Sequence, residues 1–264
     1  MFNLNDFSKY KKEQKKITMV TAYDYFSAKL LEDAFVDTIL VGDSLGMVVQ
    51  GNQNTLSVTV DDMIYHSCAV KKGAPNSFIV VDMPYLSYHV SITDSVKNAG
   101  KIIQETNCNA VKIEVNNIAT LEHIKAIIAA QIPVVAHIGM TPQSFNLFGG
   151  FRVQGRDDKS RQHIIDLAKS LEATGVVAIV LECISRTLAK IITESINIAT
   201  IGIGAGNDCD GQVLVFHDML GFDPNNKIKF VKKFANAHDY LVDGLKEYVK
   251  EVQNNSFPAD INTH

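Results

Sequence analysis

The sequence predicts an α/β chain folded as a (β/α)8 barrel (a TIM barrel) in one domain, 1–264, on three observations. Short β-branched runs recur eight times, separated by helix-like stretches. The runs are nearly all apolar rather than alternating, which is the pattern of parallel strands covered on both faces. The chain has 264 residues, 46% of them hydrophobic, which suits one barrel of roughly 250 residues with a sizeable core. An open doubly wound sheet is the competing arrangement.

In chain order the predicted strands are 18–21, 39–41, 78–81, 110–113, 134–136, 176–181, 200–203 and 213–216. Residues 1–16 are polar and lysine-rich and read as an N-terminal extension without the apolar centre of a signal peptide. Ile118, Leu121, Ile124 and Ile128 lie at helical spacing before Pro133. Ile164, Leu167, Ala168 and Leu171 do the same, with Gly175 as the stop. A last helix is predicted over 228–252, carrying Val231, Phe234, Leu241, Leu245 and Val249. Two segments break the rhythm. Residues 47–58, with Gly51 and Asn52, suggest a small hairpin. Residues 144–156 combine Gly149, Gly150 and Gly155 with Phe145, Phe148 and Phe151. They fit a lid over a site, and equally an ordered surface loop.

Composition excludes several classes of function. The formal net charge is −4, which argues against nucleic acid or an anionic membrane as the main partner. No apolar run approaches the roughly 18 residues of a membrane span. Cys68, Cys108, Cys183 and Cys209 are scattered, with no C-x-x-C pair. They read as reduced thiols of a cytoplasmic protein.

The polar residues carry the functional signal, because they fall at strand ends. Asp43 and Ser44 end the second strand, Asp82 the third, Lys112 and Glu114 the fourth, His137 the fifth and Glu182 the sixth. In a (β/α)8 barrel these ends converge on the face where active sites lie. Singly, Asp43 is also a good cap or turn residue, Lys112 and Glu114 could be a local ion pair, and His137 could be packed. Asp43, Asp82 and Glu114 together offer hard oxygens of the kind that suit Mg2+. Zinc is less apt, since His137 is the one histidine of the set and no cysteine accompanies it. Glu182 follows an apolar run, a setting in which a carboxylate takes up a proton more readily, as a general base must. The run Gly202, Gly204, Gly206 fits backbone approach to a ligand or a tight turn, and is not a dinucleotide fingerprint.

Together these segments resemble the ketopantoate hydroxymethyltransferase family. The carriers are Val20-Thr21-Ala22-Tyr23-Asp24, Leu40-Val41-Gly42-Asp43-Ser44-Leu45-Gly46, Val80-Val81-Asp82-Met83-Pro84 and Val111-Lys112-Ile113-Glu114. They continue with His137-Ile138-Gly139-Met140-Thr141-Pro142-Gln143, Val153-Gln154-Gly155-Arg156, Leu181-Glu182-Cys183 and Ile201-Gly202-Ile203-Gly204-Ala205-Gly206, then Asp210-Gly211-Gln212 and His217-Asp218 with Gly221. The resemblance implies transfer of a one-carbon unit from 5,10-methylenetetrahydrofolate to 3-methyl-2-oxobutanoate, giving ketopantoate for pantothenate and coenzyme A biosynthesis. It implies Mg2+ held by Asp43 and Asp82 with Glu114 nearby, and substrate held by Asp43, Ser44, Asp82, Lys112 and His137. It also implies Glu182 as the base, and a cytoplasmic homo-oligomer, commonly a decamer. The family's usual pattern is missing at Val115-Asn116-Asn117, at Thr106-Asn107-Cys108-Asn109 and at Ser185, which bears on local loop shape. An Mg2+-dependent lyase of the phosphoenolpyruvate mutase and isocitrate lyase type is the alternative, although its Lys-Cys-Gly-His loop is absent from the sequence.

Overall fold

A computed structural model of the chain describes residues 2–150 and 152–263. Phe151 of the glycine-rich segment, and Met1 and His264 of the expected domain, lie outside the described residues. Among those described, eight parallel strands close into a barrel in chain order. They are β1 (Ile17–Thr21), β2 (Thr38–Val41), β3 (Phe78–Asp82), β4 (Ala110–Glu114), β5 (Val134–Gly139), β6 (Ala178–Glu182), β7 (Ala199–Ile203) and β8 (Gly211–Leu214). The expected strands are all present, and β1 pairs with both β2 and β8.

The chain packs as two compact units, 1–215 and 216–264. The first holds the barrel and the helices α1 (Asp6–Lys12), α2 (Tyr25–Asp33), α3 (Leu45–Val48), α4 (Val60–Gly73), α5 (Ile92–Thr106), α6 (Thr120–Ala129), α7 (Phe145–Phe148), α8 (Asp158–Thr174) and α9 (Arg186–Ser195). Several helices start where their sequence says they should. Asp24, Thr59 and Asp157 cap α2, α4 and α8, each with the reciprocal bond of a capping box. Gly175 ends α8 at φ 93°. Asn107, in the loop that departs from the family pattern, ends α5 at φ 53°, a left-handed position that asparagine tolerates. Ser185, the other departure, caps α9 by accepting from the Leu188 N–H.

Alternate strand residues face the barrel interior. Ile17, Met19, Leu40, Phe78, Val80, Ala110, Val135, Ala178, Val180, Ala199, Ile201 and Val213 form one buried cluster there. Helix α1 closes the N-terminal end. Its Phe7, 1% exposed, joins the cluster and lies edge-on to Phe78, with ring centroids 5.6 Å apart. Phe2 packs edge-on to both rings and to Tyr10. Lys11 fixes the helix by an ion pair to Asp210 at 2.8 Å, while Asp210 also accepts from the backbone N–H of Thr200. The N-terminal extension is thus part of the barrel's packing.

Two expectations fail. Residues 47–58 are not a hairpin. Helix α3 runs on from Ser44, and the N–H groups of Val48, Val49 and Gln50 bond to carbonyls of residues 44–45. Asn52 then donates to Gly46 O at 2.8 Å, so the backbone satisfies itself locally without a strand partner. The final helix also begins later than expected. In the second unit, α10 (Phe216–Met219) is followed by irregular chain to 236, and only then by α11 (Ala237–Gln253). Val231 and Phe234 mimic helical spacing, but Phe234 N–H bonds to Met219 O and Lys233 Nζ to the carbonyls of Asp223 and Pro224. Those bonds hold the stretch in a turn. No residue of α11 is buried, and Leu241, Leu245, Tyr248 and Val249 are exposed.

Candidate active site

Continuing the inward alternation toward the C-terminal strand ends changes its chemistry. Phe78 and Val80 lead to Asp82, Ala110 to Lys112 and Glu114, Val135 to His137, and Ala178 and Val180 to Glu182. Strand register places Asp82 beside Lys112 and Glu114 beside His137. Asp43 follows β2. Asp43, Asp82, Lys112, Glu114 and His137 are all buried, at 2–6% exposure. The Glu182 side chain is the more open one, at 14%.

These groups form one connected polar cluster. Lys112 Nζ lies 3.0 Å from Asp82 Oδ1 and 3.2 Å from His137 Nδ1. His137 Nδ1 is 3.6 Å from Glu114 Oε1, and its Nε2 is 3.3 Å from Glu182 Oε2. The Asp43 backbone N–H donates to Asp82 Oδ2 at 3.0 Å. Ser44 Oγ is 2.8 Å from the Tyr23 hydroxyl, beside the cluster.

Burial first, then the charges of Asp82 and Glu114, push the Asp43 carboxyl well above the usual range. Burial also raises Asp82, partly offset by Lys112. Burial alone would lower Lys112, but Asp82, Glu114 and Asp43 outweigh it and hold the ammonium above its ordinary value. For His137, burial and Lys112 pull down while the nearby Glu114 and Glu182 carboxylates pull up, leaving it at about 9. At neutral pH the ring is therefore an imidazolium between two glutamates. Its contact with Lys112 is then one of two cations, tolerated because carboxylates surround them.

Four carboxylates stand against two cations, an excess of negative charge that fits a divalent metal. Among the described residues, no group of three or more His, Cys, Asp and Glu side chains is arranged to hold a metal. The Asp82 charge raises the Asp43 carboxyl, and the Asp43 backbone N–H stabilises the Asp82 carboxylate, so these two stand as the closest acidic pair. Glu114 turns its oxygens to His137 and to the Gln143 N–H, 2.8 Å away. Two carboxylates with waters and substrate oxygens completing the shell suit Mg2+.

The backbone around Glu182 is specific. Gly139, at φ 98°, approaches so closely that a Cβ there would lie 2.3 Å from Glu182 O, so only glycine fits. Cys183 adopts a left-handed φ of 49° and turns the chain immediately after Glu182. Burial first, then the Glu182 charge, pushes its thiol up to about 12, which keeps it protonated and unreactive. A cleft lined by Asn116, Gln154, Ser160 and His163 adjoins this turn through Gly139.

Sequence reasoning gave Gln143 and Tyr88 no role, yet both are buried in the cluster. Gln143 Nε2 donates to Asp43 Oδ2 at 2.8 Å and to Met83 O at 3.0 Å. Its Oε1 accepts from the Tyr88 hydroxyl at 2.7 Å. Burial, then the charges of Glu114 and Asp43, hold that phenol well above its usual pKa, as a proton donor. An amide after a proline in a loop carries no signal of its own, and Tyr88 reads as core.

The ketopantoate hydroxymethyltransferase family model matches residues 1–260. The chain is 52% identical over 254 residues to 3-methyl-2-oxobutanoate hydroxymethyltransferase of Clostridium botulinum (strain Alaska E43 / Type E3), covering 96% of this chain and 92% of the relative. It is 50% identical over 257 residues to the protein of that name from Clostridioides difficile (strain 630), covering 97% and 93%. Among solved structures, it resembles 2,3-dimethylmalate lyase, a PEP mutase/isocitrate lyase superfamily member, at TM-score 0.62 and 13% identity, over 100% of this chain and 92% of that one. It also resembles a phosphonopyruvate hydrolase complexed with oxalate and Mg++, at TM-score 0.63 and 11% identity, over 99% and 93%. At such low identity these structures bear on fold alone.

Proposed function

Because the chain belongs to the ketopantoate hydroxymethyltransferase family, we propose that it transfers the one-carbon unit of 5,10-methylenetetrahydrofolate to C3 of 3-methyl-2-oxobutanoate. The observation that carries this reading is the pairing of Glu182 with His137 beside the Asp43–Asp82 pair. Lys112 and the imidazolium of His137 supply positive charge for the substrate carboxylate, with Ser44 at the rim as a further donor. Asp43 and Asp82 would hold Mg2+, which supplies Lewis acidity toward the substrate's keto oxygen when bound. Glu182 takes the C3 proton, and His137, at 3.3 Å, orients its carboxylate. In the net reaction the methylene carbon gains bonds to C3 and to the oxygen of water and loses both of its bonds to folate nitrogen, and those two nitrogens take up the proton removed from C3 and one proton of the water. Holding the 2-oxo acid on Lys112 while Glu182 faces C3 makes the encounter effectively intramolecular.

The reading extends to residues 144–156 as a cover over the site and to one catalytic domain that begins in the 1–16 extension. Exposed Leu241, Leu245, Tyr248 and Val249 on α11 support assembly into a homo-oligomer. No helix among the described residues is long and apolar enough to cross a membrane, and the cytoplasm is the proposed location.

Proton NMR tests the first half-reaction. With Mg2+ and 3-methyl-2-oxobutanoate in heavy water, without folate, C3 should exchange its proton and the methyl doublet should collapse. A chelator should stop the exchange. Glu182→Gln, which keeps shape but cannot accept a proton, should slow it by roughly 10²–10⁴-fold. Full-rate exchange in that variant would remove Glu182 from the role, and wild-type exchange only with folate present would refute a separate proton-abstraction step.

A further inference from the structure

Gln143 is the point at which four strand ends meet. It sits on a short 3-10 turn, Pro142–Ser144, just past β5. Its side chain reaches Asp43 after β2 and Met83 after β3, and its backbone N–H donates to Glu114 Oε2 on β4. Behind it, the Tyr88 hydroxyl lies 2.7 Å from Gln143 Oε1 and 3.1 Å from Glu114 O. Gln143 and Tyr88 are 5% and 1% exposed, so water cannot readily replace these bonds.

The chemistry of the partners fixes the orientation of the amide. The Met83 carbonyl can only accept and the Asp43 carboxylate accepts, so both must face the NH2 group. The Tyr88 O–H must then face the remaining oxygen. Both amide hydrogens and one lone pair are committed, and a flipped amide would set oxygen against oxygen at two contacts. Of the two Asp43 oxygens only Oδ2 lies in this network, which sets the plane in which Oδ1 is presented.

From this geometry we infer that Gln143, backed by Tyr88, is a positioning residue that presents the Asp43 carboxylate to a divalent cation. The inference rests on the reading of Asp43 as a metal ligand given above. An asparagine at 143 is too short to span from the turn to Asp43. A glutamate would set a further carboxylate against Asp43. Glutamine is the residue that donates to the carboxylate while accepting from Tyr88. Gln143 immediately precedes the 144–156 segment, so the setting of Asp43 is tied to the base of that segment.

Gln143→Met keeps side-chain length and the backbone N–H to Glu114 but removes the amide. Tyr88→Phe removes a single hydroxyl. The measurement is isothermal titration of Mg2+ into each protein in the presence of 3-methyl-2-oxobutanoate, with melting temperature and turnover recorded alongside. Loss of an outer partner of a metal ligand typically weakens binding 10–100-fold. The Mg2+ Kd should therefore rise by about that factor in Gln143→Met, and by several-fold in Tyr88→Phe. Turnover at saturating Mg2+ should recover most of the wild-type value. A lower melting temperature and reduced kcat with an unchanged Mg2+ Kd would mean a merely structural role and overturn the inference. Should Gln143→Met fail to fold, Tyr88→Phe decides, and an unchanged Kd there overturns it too. If the wild-type protein bound no Mg2+ in this assay, the metal reading itself would fall. Tight wild-type binding matched by both variants would refute only the positioning role.

Discussion

At the N-terminal end of the barrel, Phe7 lies across Phe78 with Phe2 and Tyr10 around it, and the layer above is valine, isoleucine and alanine. At the C-terminal end the same strands finish in Asp82, Lys112, Glu114, His137 and Glu182. Burial is nearly as deep at both ends, since Phe7 is 1% exposed and Lys112 4%. Its energetic sign is opposite. Aromatic surface gains free energy when it leaves water, whereas a carboxylate loses it and survives there only with partners. The barrel's stability therefore resides at one end, and at the other it carries a cost that is of use only with a ligand bound.

The sharpest way to separate the ends is to neutralise the polar one. Asp43→Asn or Asp82→Asn should lower turnover by about 10²–10³-fold, the range for losing one charge-stabilising group. With a chelator present the melting temperature of Asp43→Asn should hold or rise, because that change removes like-charge repulsion, whereas that of Asp82→Asn should fall, because Lys112 loses its buried partner. Retained turnover with a lowered melting temperature in Asp43→Asn would reverse the roles of the two ends.

Phe7→Ala is the mirror experiment. Deleting a buried phenylalanine costs about 3–5 kcal/mol, which should appear as a lower urea midpoint. KM for 3-methyl-2-oxobutanoate should not change. A raised KM would mean that the ends communicate.

A smaller effect is expected from pH. The folded protein holds His137 at about 9, above the ordinary 6.5, so the native state binds that proton more tightly than the unfolded chain. The stability gained is fully present below about 6.5 and is lost as pH rises through about 9. Melting temperatures recorded with a chelator should fall across that window. His137→Gln should flatten the fall, and an equal fall in the variant would assign it to another group.

The smallest change is expected at Lys11. Lys11→Met removes the bonds to Asp210 and Thr193 O and should cost about 1–3 kcal/mol, as for hydrogen bonds to charged groups. Turnover at 25 °C should be untouched, which a coupled assay checks.

The two ends also differ in how far the sequence reveals them. Apolar runs mark the strands because parallel strands are covered on both faces, and a polar residue at the end of such a run stands out. Asp43, Asp82, Lys112, Glu114, His137 and Glu182 are legible for that reason. Gln143 and Tyr88 are not, because their meaning comes from contacts across up to 100 residues of chain, Gln143 to Asp43 being the longest. The hairpin at 47–58 misleads because a Gly-Asn pair signals a turn without saying what the flanking chain does, and here the N–H groups find local carbonyls. At 228–236 apolar spacing imitates a helix, while lysine-to-carbonyl bonds hold a turn. Phe7 escapes notice because scattered aromatics, Phe2, Phe7 and Tyr10, in a lysine-rich extension read as surface.

The pairing of β1 with β8 sets Ile17 against Gly211. On the ribosome, the first strand must wait for the last before the sheet has no edge. At 5–20 residues per second the intervening chain takes roughly 10–40 s to emerge. Throughout that interval the β1 edge is open, and an open edge is a template for pairing with another chain. Contacts as distant in sequence as these make folding slow by nature.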